Sequence, residues 1–354
     1  MTAIDVTIEG RSALEVLAWS RITVEPALRA AVDTLPSAMR RIAGYHFGWW
    51  DEPGQQESTP DGNAKGGKAI RPTLVLLSAQ AVGGAPAAAV SAAVAVELVH
   101  NFSLLHDDVM DGDLTRRHRP TAWSVFGVNT AILAGDALLT LALDVLAASG
   151  HPAATGGIRM LSTAVQDLVD GQCADLAFEQ RTQVELAECL RMAKGKTGAL
   201  MGCACAVGAC FGGGSSKQVE HFRDFGEHLG LAFQHVDDLL GIWGDPAVTG
   251  KPVYSDLHSR KKSLPVVAAL TSDTPAGREL AALYHRDQSL SGSDVVHAAE
   301  LIDVAGGRAW SQTQVEDLLT QAMRDLMSAS PTVPAARAAQ ELSALARLVT
   351  HRDH

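Results

Sequence analysis

The sequence predicts an all-α protein folded as a single large helical bundle. Aromatic residues make up only 5% of the 354 residues, and the alternating runs of β-branched residues that mark strands are few. Apolar residues instead recur at helical spacing in one segment after another. Because no repeat period and no linker divide these segments, we expect one bundle rather than two domains. Ligand sites in such bundles are formed by side chains on facing helices.

The predicted elements follow one another along the chain. A first helical region ends before residues 51–67, where Pro, Gly, Gln, Ser and Asn predict a mobile loop. Residues 1–25 are assigned to an N-terminal extension without a readable function, and residues 26–354 to one domain. After the loop, apolar spacing predicts helices over residues 74–82, 87–108, 129–148, 156–178, 184–211, 216–243, 264–270, 294–305, 310–328 and 334–349.

Charge and composition exclude several classes of protein. The formal net charge is -11 at pH 7, so non-specific binding to nucleic acid, which needs a cationic surface, is not expected. Asp5 and Glu9 stand where a secretory signal would be basic and then apolar. The most apolar region, residues 79–98, is broken by Gly83, Gly84 and Pro86. We therefore expect no membrane span.

The cysteines point to a reducing compartment. There are five, an odd number, and none is arranged as CxxC or paired with histidines. Three of them lie in an Ala- and Gly-rich run that ends at Cys210. We interpret them as small core residues of a cytoplasmic protein rather than as zinc ligands or disulfides. They are Cys173, Cys189, Cys203, Cys205 and Cys210.

Two aspartate pairs stand in otherwise apolar helical segments. The first is Asp107-Asp108, followed by Asp111, and the second is Asp237-Asp238. Carboxylates in core-like surroundings need a compensating charge, and hard divalent cations are natural partners for them. On a helix, Asp107 and Asp111 lie on one face about 6 Å apart. This spacing suits Mg²⁺ ions that keep coordination positions open for phosphate oxygens.

Basic residues cluster near the first pair. Lys68 and Arg71 follow the predicted loop at the start of a helix, as a phosphate clamp would. Residues 116–119 form a second cluster, and for each cluster alone a solvated surface remains an alternative. A P-loop at Lys196 is rejected because the glycine required earlier is Leu190. A calcium loop starting at Asp107 is rejected because Val109 replaces an oxygen ligand.

Taken together, the motifs from about residue 66 to residue 265 resemble the trans-isoprenyl diphosphate synthase (polyprenyl synthetase) family. The agreement extends over many motifs in the same order. They are Gly66-Gly67-Lys68 with Arg71-Pro72, Val96-Glu97-Leu98-Val99-His100 before DDxxD, Arg116-Arg117 with Pro120-Thr121, Ala134-Gly135-Asp136-Ala137-Leu138, Gly171-Gln172 with Asp175, Lys196-Thr197-Gly198-Ala199-Leu200, Phe233-Gln234 with Asp237-Asp238, Lys251-Pro252 with Asp256, and Lys261-Lys262-Ser263-Leu264-Pro265.

The resemblance implies an isoprenoid-synthase type of bundle around a central substrate cavity, an active site and a homodimer. Asp107, Asp111 and Asp237 would bind three Mg²⁺ ions around the diphosphate of an allylic substrate, with Asp108, Asp238 and Lys196 also in the catalytic set. The implied ligands of the allylic diphosphate are Arg116, Lys196, Thr197, Gln234, Lys251 and Lys261. Those of isopentenyl diphosphate are Lys68, Arg71, His100 and Arg117.

Three positions depart from the family pattern. Gly241 stands where the second acidic motif commonly has a third aspartate, and Asp245 lies one turn further on. We expect the metal site to function because the family relies most on Asp237. Ala69 replaces a frequent basic residue, and His118 replaces a frequent glycine.

The residues before the first acidic motif bear on product length. Phe102 precedes Asp107 by five residues, about 7.5 Å along a helix, and Ser103 is its small neighbour. This combination is similar to geranylgeranyl diphosphate synthases of the archaeal kind, so a C20 product is favoured over C15 and longer chains. Phe102 could also be a plain core residue.

Two other functions remain open. The spacing Asp237, Gly241, Asp245 resembles the second metal motif of class I terpene cyclases, although a cyclase needs no second cationic pocket. A non-catalytic subunit that pairs with an active synthase is the third possibility. The presence of Asp107, Asp111 and Asp237 weighs against it.

Overall fold

A computed structural model describes residues 10–55, 67–246, 253–286, 288–329 and 333–351, without the side chains of residues 333–335. These residues form helices almost throughout, and the all-α prediction is confirmed. In chain order the helices are α1 Ala13–Asp33, α2 Ser37–His46, α3 Ile70–Ala81, α4 Val90–Met110, α5 Ala122–Phe126, α6 Val128–Ala148, α7 Ala154–Glu179, α8 Leu186–Ala193, α9 Ala199–Phe211, α10 Ser216–Trp243, α11 Ser255–His258, α12 Leu264–Leu270, α13 Pro275–Tyr284, α14 Gly292–Val304, α15 Gly307–Ala329 and α16 Val333–Thr350.

The chain divides into two compact units. Unit 1 comprises Met1–Ser162, Cys203–Phe222 and Met327–Leu345, and unit 2 comprises Thr163–Gly202, Arg223–Leu326 and Ala346–His354. Several long helices, α10 among them, contribute residues to both units.

Unit 1 is organised around α4, which packs against α1, α3 and α6. Its residues are apolar on nearly all sides, so the helix is buried: Leu98 and Val99 are fully inaccessible. The segments Pro86–Met110 and Val128–Ala148 are both long and apolar enough to meet the criteria for a membrane span. In the first segment, 67% of the most apolar stretch is buried within the protein. In the second segment, the buried share is 39%.

The N-terminal helix crosses the predicted extension boundary. Ser12 caps α1 in a reciprocal arrangement with Glu15, and the helix continues past Pro26 to Asp33. Residue 25 therefore lies inside a helix rather than at the edge of an extension. Of the predicted mobile loop at 51–67, residues 51–55 form a turn and residue 67 is described, while 56–66 lie outside the described residues.

Unit 2 has its core where α10 meets the C-terminal helices. Ile242 of α10 packs in one cluster with Val266, Leu280 and Ile302, which come from α12, α13 and α14. A second cluster joins the end of α7 with α8 and α12. These contacts fix the C-terminal part of α10, which carries Asp237 and Asp238.

Several local features were not predicted, among them the short helices α5 and α11. Residues Lys194–Gly198 form a π turn between α8 and α9, within the predicted helix over 184–211. Thr115–Arg116 (β1) and Arg119–Pro120 (β2) form an antiparallel pair, the only strands in the described residues. Helix α13 is capped by Thr274, with Pro275 at its first position.

Candidate functional site

The first acidic motif forms the C-terminal end of α4. Asp111 ends the helix, and its N–H donates to the carbonyl oxygen of Asp107 at 2.8 Å. Asp107 is half-buried and Asp111 is exposed, whereas Asp108 is 1% exposed. The first and last aspartates therefore reach the solvent, and the middle one points into the protein.

Asp108 holds Arg116 rather than facing solvent. The Nε of Arg116 donates to Asp108 Oδ1 at 2.6 Å. Burial raises the pKa of Asp108, and the guanidinium of Arg116 opposes this shift. Arg116 lies on β1 and is followed by a two-residue turn, in which Arg117 and His118 have φ of 53° and 60°. Such left-handed turns favour glycine, so His118 occupies a position at which a glycine would cause less backbone strain.

A second cationic group lies at the start of α3. Arg71 Nη1 is 3.2 Å from His100 Nε2, and Arg117 packs so closely on Gly67 that a Cβ there would lie 2.6 Å from Arg117 Nη2. Lys68 is exposed beside them, before a left-handed residue at Ala69. The structure thus brings together Arg71, His100 and Arg117, three of the residues that the resemblance assigned to isopentenyl diphosphate.

Two residues of this group were missed by the sequence analysis. Arg21 donates from Nη2 to the carbonyl oxygen of Gly67 at 3.0 Å, although it lies in the segment taken to have no function. Glu97 accepts from Asn101 Nδ2 at 3.0 Å. Burial raises the pKa of Glu97, while Arg117, Arg71 and Arg21 lower it. Its position three residues before His100, on the same helix face, could have revealed it.

His46 and His100 are half-buried, and their surroundings favour the neutral imidazole. Burial, with the charges of Arg117 and Arg116, lowers the pKa of His46 to about 3. Burial and the charge of Arg71 also lower the pKa of His100 well below its usual value. The pocket therefore presents arginine cations and neutral imidazoles.

Phe102 and Ser103 lie on α4 above the acidic motif. Phe102 is 6% exposed and packs edge to face on His106, with ring centroids 4.8 Å apart. Ser103 Oγ donates to the carbonyl oxygen of His100 at 2.9 Å. Phe102 is therefore a fixed aromatic ring one to two turns before Asp107.

In unit 2 the π turn carries Lys196 and Thr197. Lys196 Nζ donates to Asp175 Oδ2 at 2.6 Å. The turn is packed against α7: a Cβ on Gly171 would overlap the backbone nitrogen of Lys196, and one on Gly195 would lie 2.7 Å from the carbonyl oxygen of Asp167. These glycines allow the backbones to approach, and π turns are frequent at functional sites.

Thr197 begins a chain of hydrogen bonds to the second acidic motif. Its hydroxyl donates to Gln234 Oε1, and Gln234 Nε2 donates to Asp238 Oδ1 at 2.8 Å. The other oxygen of Asp238 accepts from the N–H of Leu264 at 2.9 Å. Burial raises the pKa of Asp238 to about 7. Asp237, next to it, is exposed.

Lys261 is a half-buried cation of unit 2 that is surrounded by carboxylates. Burial disfavours its charge, but the carboxylates of Asp256, Asp238, Asp175 and Asp237 outweigh burial and raise its pKa. Lys251, also predicted to bind the allylic diphosphate, lies outside the described residues.

Both units contain donors that suit a hard divalent cation. Asp107 and Asp111 in unit 1, and Asp237 in unit 2, offer carboxylates that are not fully buried. In each motif the second aspartate is buried and hydrogen-bonded to protein groups. Asp107, Asp111 and Asp237, the residues that the resemblance assigned to metal ions, are the more accessible aspartates of the two motifs.

An all-helical fold that carries two aspartate motifs with clustered Lys and Arg defines a protein of the isoprenoid synthase type. Residues 57–302 match the family model of polyprenyl synthetase. The chain belongs to the polyprenyl synthetase family, as its motifs predicted.

Relatives of two product lengths resemble this chain almost equally. A (2E,6E)-farnesyl diphosphate synthase of Mycobacterium tuberculosis is 47% identical, over 97% of this chain and 94% of the relative. A geranylgeranyl diphosphate synthase of the same organism is 45% identical, over 94% of this chain and 92% of the relative.

Solved structures share the fold. A polyprenyl synthetase from Streptomyces coelicolor A3(2) superposes with a TM-score of 0.88 at 46% identity, covering 95% of this chain and 98% of that one. A polyprenyl synthase from Caulobacter crescentus CB15, complexed with calcium and isoprenyl diphosphate, gives a TM-score of 0.80 at 25% identity, covering 97% of this chain and 99% of that one.

Proposed function

We propose that the protein is a Mg²⁺-dependent trans-prenyltransferase that joins isopentenyl diphosphate to an allylic diphosphate. The observation that supports this proposal most directly is that unit 1 contains both an acidic group and a separate cationic group. There α4 bears an acidic end, Asp107 and Asp111, while His100 of the same helix belongs to a separate cationic group with Arg71 and Arg117. Two different ways of binding diphosphate fit a reaction with two diphosphate substrates.

We assign Asp107, Asp111 and Asp237 to the binding of Mg²⁺, with three ions per active site. The Caulobacter relative is complexed with calcium and isoprenyl diphosphate, which supports the presence of a divalent cation together with a prenyl diphosphate. When bound, Mg²⁺ stabilises negative charge on the departing diphosphate.

The protein's own cations would assist the departure of diphosphate. Arg116, Lys196 and Lys261, with Lys251, are assigned to the allylic diphosphate, and Thr197 and Gln234 to its orientation. Asp108 and Asp175 hold Arg116 and Lys196 in place. Preorganised positive charge favours ionisation of the allylic C–O bond because no reorganisation is needed as negative charge develops.

The second substrate would be bound by Lys68, Arg71, His100 and Arg117. Bound beside the allylic cation, isopentenyl diphosphate supplies its double bond as the nucleophile, and a proton leaves to the departed diphosphate. This route requires no Ser, Cys or His nucleophile. Positioning of both substrates accounts for much of the rate.

For product length we favour C20, with C15 as the alternative and longer chains third. Support for C20 comes from Phe102, whose ring is buried and fixed above the acidic motif, with small Ser103 beside it. The similar identities to a farnesyl and a geranylgeranyl diphosphate synthase keep both lengths open.

Incubation with isopentenyl diphosphate, Mg²⁺ and each of dimethylallyl, geranyl and farnesyl diphosphate tests the proposal. We expect elongation ending at C20, read by chromatography of the dephosphorylated products. A lack of elongation with every primer would contradict the proposed activity. A hydrocarbon from geranylgeranyl diphosphate alone would favour a cyclase, and activity only with an added synthase would favour a regulatory subunit.

We further propose that the enzyme is a cytoplasmic homodimer. Support for a dimer comes from α6, which exposes the apolar side chains of Val128, Ile132 and Leu133. Support for a reducing compartment comes from the cysteines, all of which are free. Light scattering on the purified protein, whose chain mass is 37.2 kDa, distinguishes a dimer from a monomer.

A further inference from the structure

Gly67, the residue before Lys68, is contacted by two arginines from distant parts of unit 1. Arg21 of α1 donates from Nη2 to the carbonyl oxygen of Gly67 at 3.0 Å. In addition, a Cβ built on Gly67 would lie 2.6 Å from Arg117 Nη2 and 3.0 Å from Arg117 Cζ. The guanidinium of Arg117 therefore packs against the α-carbon of Gly67, while that of Arg21 binds its carbonyl oxygen.

Gly67 leads directly into the segment that we assign to isopentenyl diphosphate. Ala69 has a left-handed conformation, with φ of 53°, and α3 begins at the next residue. Lys68 and Arg71 both lie within four residues of Gly67, so a shift of its peptide group would move both cations. The backbone at Gly67 therefore sets where these two side chains begin.

Helix α1 gives Arg21 a fixed base. Arg11, just before the helix, donates to Glu341 of α16 from its backbone N–H at 3.0 Å and from Nε and Nη2 at 2.9 and 2.7 Å. Glu341 is 1% exposed, and Ser20, the neighbour of Arg21, is fully inaccessible. A helix held in this way can support a side chain that orders part of a binding site.

Arg21 also belongs to the charged group around the isopentenyl diphosphate residues. Arg21, Gly67, Glu97 and Arg117 line one cavity in unit 1. Burial raises the pKa of Glu97, and the charges of Arg117, Arg71 and Arg21 oppose this rise. The guanidinium of Arg21 therefore lies close enough to act on the same carboxylate as Arg71 and Arg117.

We propose that Arg21 is a positioning residue for isopentenyl diphosphate, because its hydrogen bond to the Gly67 carbonyl fixes the backbone that carries Lys68 and Arg71. This inference rests on the proposed function. It gives a role to α1, which includes part of residues 1–25, the segment without a readable function. The competing view is that Arg21 only ties α1 to the start of α3 and stabilises the fold.

Binding and kinetics of four variants separate the two views. Arg21→Ala and Arg21→Met remove the hydrogen bond, Arg21→Met keeping an apolar stem for packing, and Arg21→Lys keeps the charge and a donor. Arg29→Ala is the matched control, because Arg29 also lies on α1 but donates from Nε and Nη2 to the side chain of Glu25.

For each variant, isothermal titration calorimetry gives the Kd of isopentenyl diphosphate. Steady-state kinetics give kcat and the KM of both substrates, and thermal unfolding gives the melting temperature. The Kd is measured without an allylic substrate, so it does not depend on turnover.

We expect Arg21→Ala and Arg21→Met to raise the Kd and KM of isopentenyl diphosphate about 10-fold, the effect of losing one hydrogen bond from a charged donor. The KM of the allylic diphosphate and kcat should stay within about threefold of the wild type, because only binding of the second substrate is weakened. Arg21→Lys should fall between these variants and the wild type. Arg29→Ala should leave both KM values unchanged.

The inference is overturned if Arg21→Ala binds isopentenyl diphosphate like the wild type, if it raises both KM values equally, or if Arg29→Ala causes the same rise. A lower melting temperature with unchanged Kd and KM would also overturn it, in favour of the structural view. If Arg21→Ala does not fold, the same criteria apply to Arg21→Met. Failure of the proposed function would appear separately, as wild-type protein that binds isopentenyl diphosphate but elongates no primer, and wild-type protein that does not bind it would overturn the inference.

Discussion

The aspartates of each acidic motif have unequal surroundings. Asp108 and Asp238 are nearly inaccessible and bind protein groups, whereas Asp107, Asp111 and Asp237 reach solvent. A buried carboxylate that accepts hydrogen bonds holds its donors in place, and an accessible one can bind an ion. In each aspartate pair, the first residue is therefore a candidate metal ligand, and the second holds neighbouring protein groups in place.

Replacing a candidate ligand should affect turnover without affecting the fold. We expect Asp107→Ala or Asp237→Ala to reduce kcat by at least about 100-fold, because charge on the departing diphosphate loses its metal ion. The melting temperature should change little, since both side chains reach solvent. Steady-state kinetics and thermal unfolding measure the two effects. Near-normal turnover in both variants would refute the metal assignment, and Asp144→Ala, at an exposed position on α6, is the control.

Asp238→Ala, in contrast, should lower the stability of the folded protein. Removal of its carboxylate leaves the N–H of Leu264 and the amide of Gln234 without their acceptor, which costs about 1–3 kcal/mol in the free energy of unfolding. Urea unfolding measures this loss. A fold as stable as the wild type would show that Asp238 does not anchor the segment before α12.

At the scale of elements, the π turn explains how one continuous helical stretch presents Lys196 and Thr197. The turn inserts an extra residue, and Gly171 and Gly195 let its backbone contact α7. Sequence periodicity predicted a plain helix here, because a single π turn leaves the apolar spacing on both sides nearly unchanged.

Gly171→Ala should therefore disrupt this contact. Its Cβ would overlap the backbone of Lys196 and lie 2.9 Å from the carbonyl oxygen of Met192, so we expect a loss of about 1–3 kcal/mol in stability and a raised KM for the allylic substrate. Gly156→Ala on the same helix meets no atom within 4 Å and is the control. It should stabilise the protein by about 0.5–1 kcal/mol through helix propensity. Equal effects of the two substitutions would contradict the packing argument.

In the proposed function, helix α4 limits the length of the product and also carries ligands of diphosphate. We expect Phe102→Ala to yield products at least one isoprene unit longer, because the substitution removes the ring that we propose to block growth of the chain. Product length is read by chromatography with farnesyl diphosphate as primer. Phe211→Ala, a buried phenylalanine that stacks on His151, controls for general loosening of the core and should leave product length unchanged. An unchanged product with Phe102→Ala would make Phe102 a plain core residue.

At the scale of the whole molecule, periodicity predicted most helices and their order, and motif spacing found most of the candidate site residues. Arg21 escaped because its partner, Gly67, is 46 residues away and no local pattern links them. Helix α13 could have been found, since Thr274 and Pro275 are a common helix start. The contact between the Asp256 carboxylate and Gly241 depends on tertiary structure and could not be predicted from either residue alone.

Stability of the whole protein should depend on pH through His46. Its pKa is about 3 in the folded protein, because of burial and nearby arginines, against about 6.5 in an unfolded chain. Below pH 6.5 the unfolded chain takes up a proton that the folded protein does not. This histidine therefore lowers the free energy of unfolding by about 1.4 kcal/mol for each pH unit below 6.5, and has no such effect above pH 7.

Other buried groups titrate in the same range, and some have the opposite sign. Asp238, whose folded pKa is raised to about 7, contributes stability at low pH that is lost as the pH rises through 7. The pH dependence of total stability therefore does not report on His46 alone. The difference in stability between the wild type and a His46 variant, measured at two pH values, does. The stability cost of His46→Gln should shrink by about 2 kcal/mol between pH 7 and pH 5, measured by urea unfolding at both values. His258→Gln, at an exposed position on α11, is the control. A cost of His46→Gln that is the same at both pH values would show that the pKa of His46 is not lowered in the folded protein.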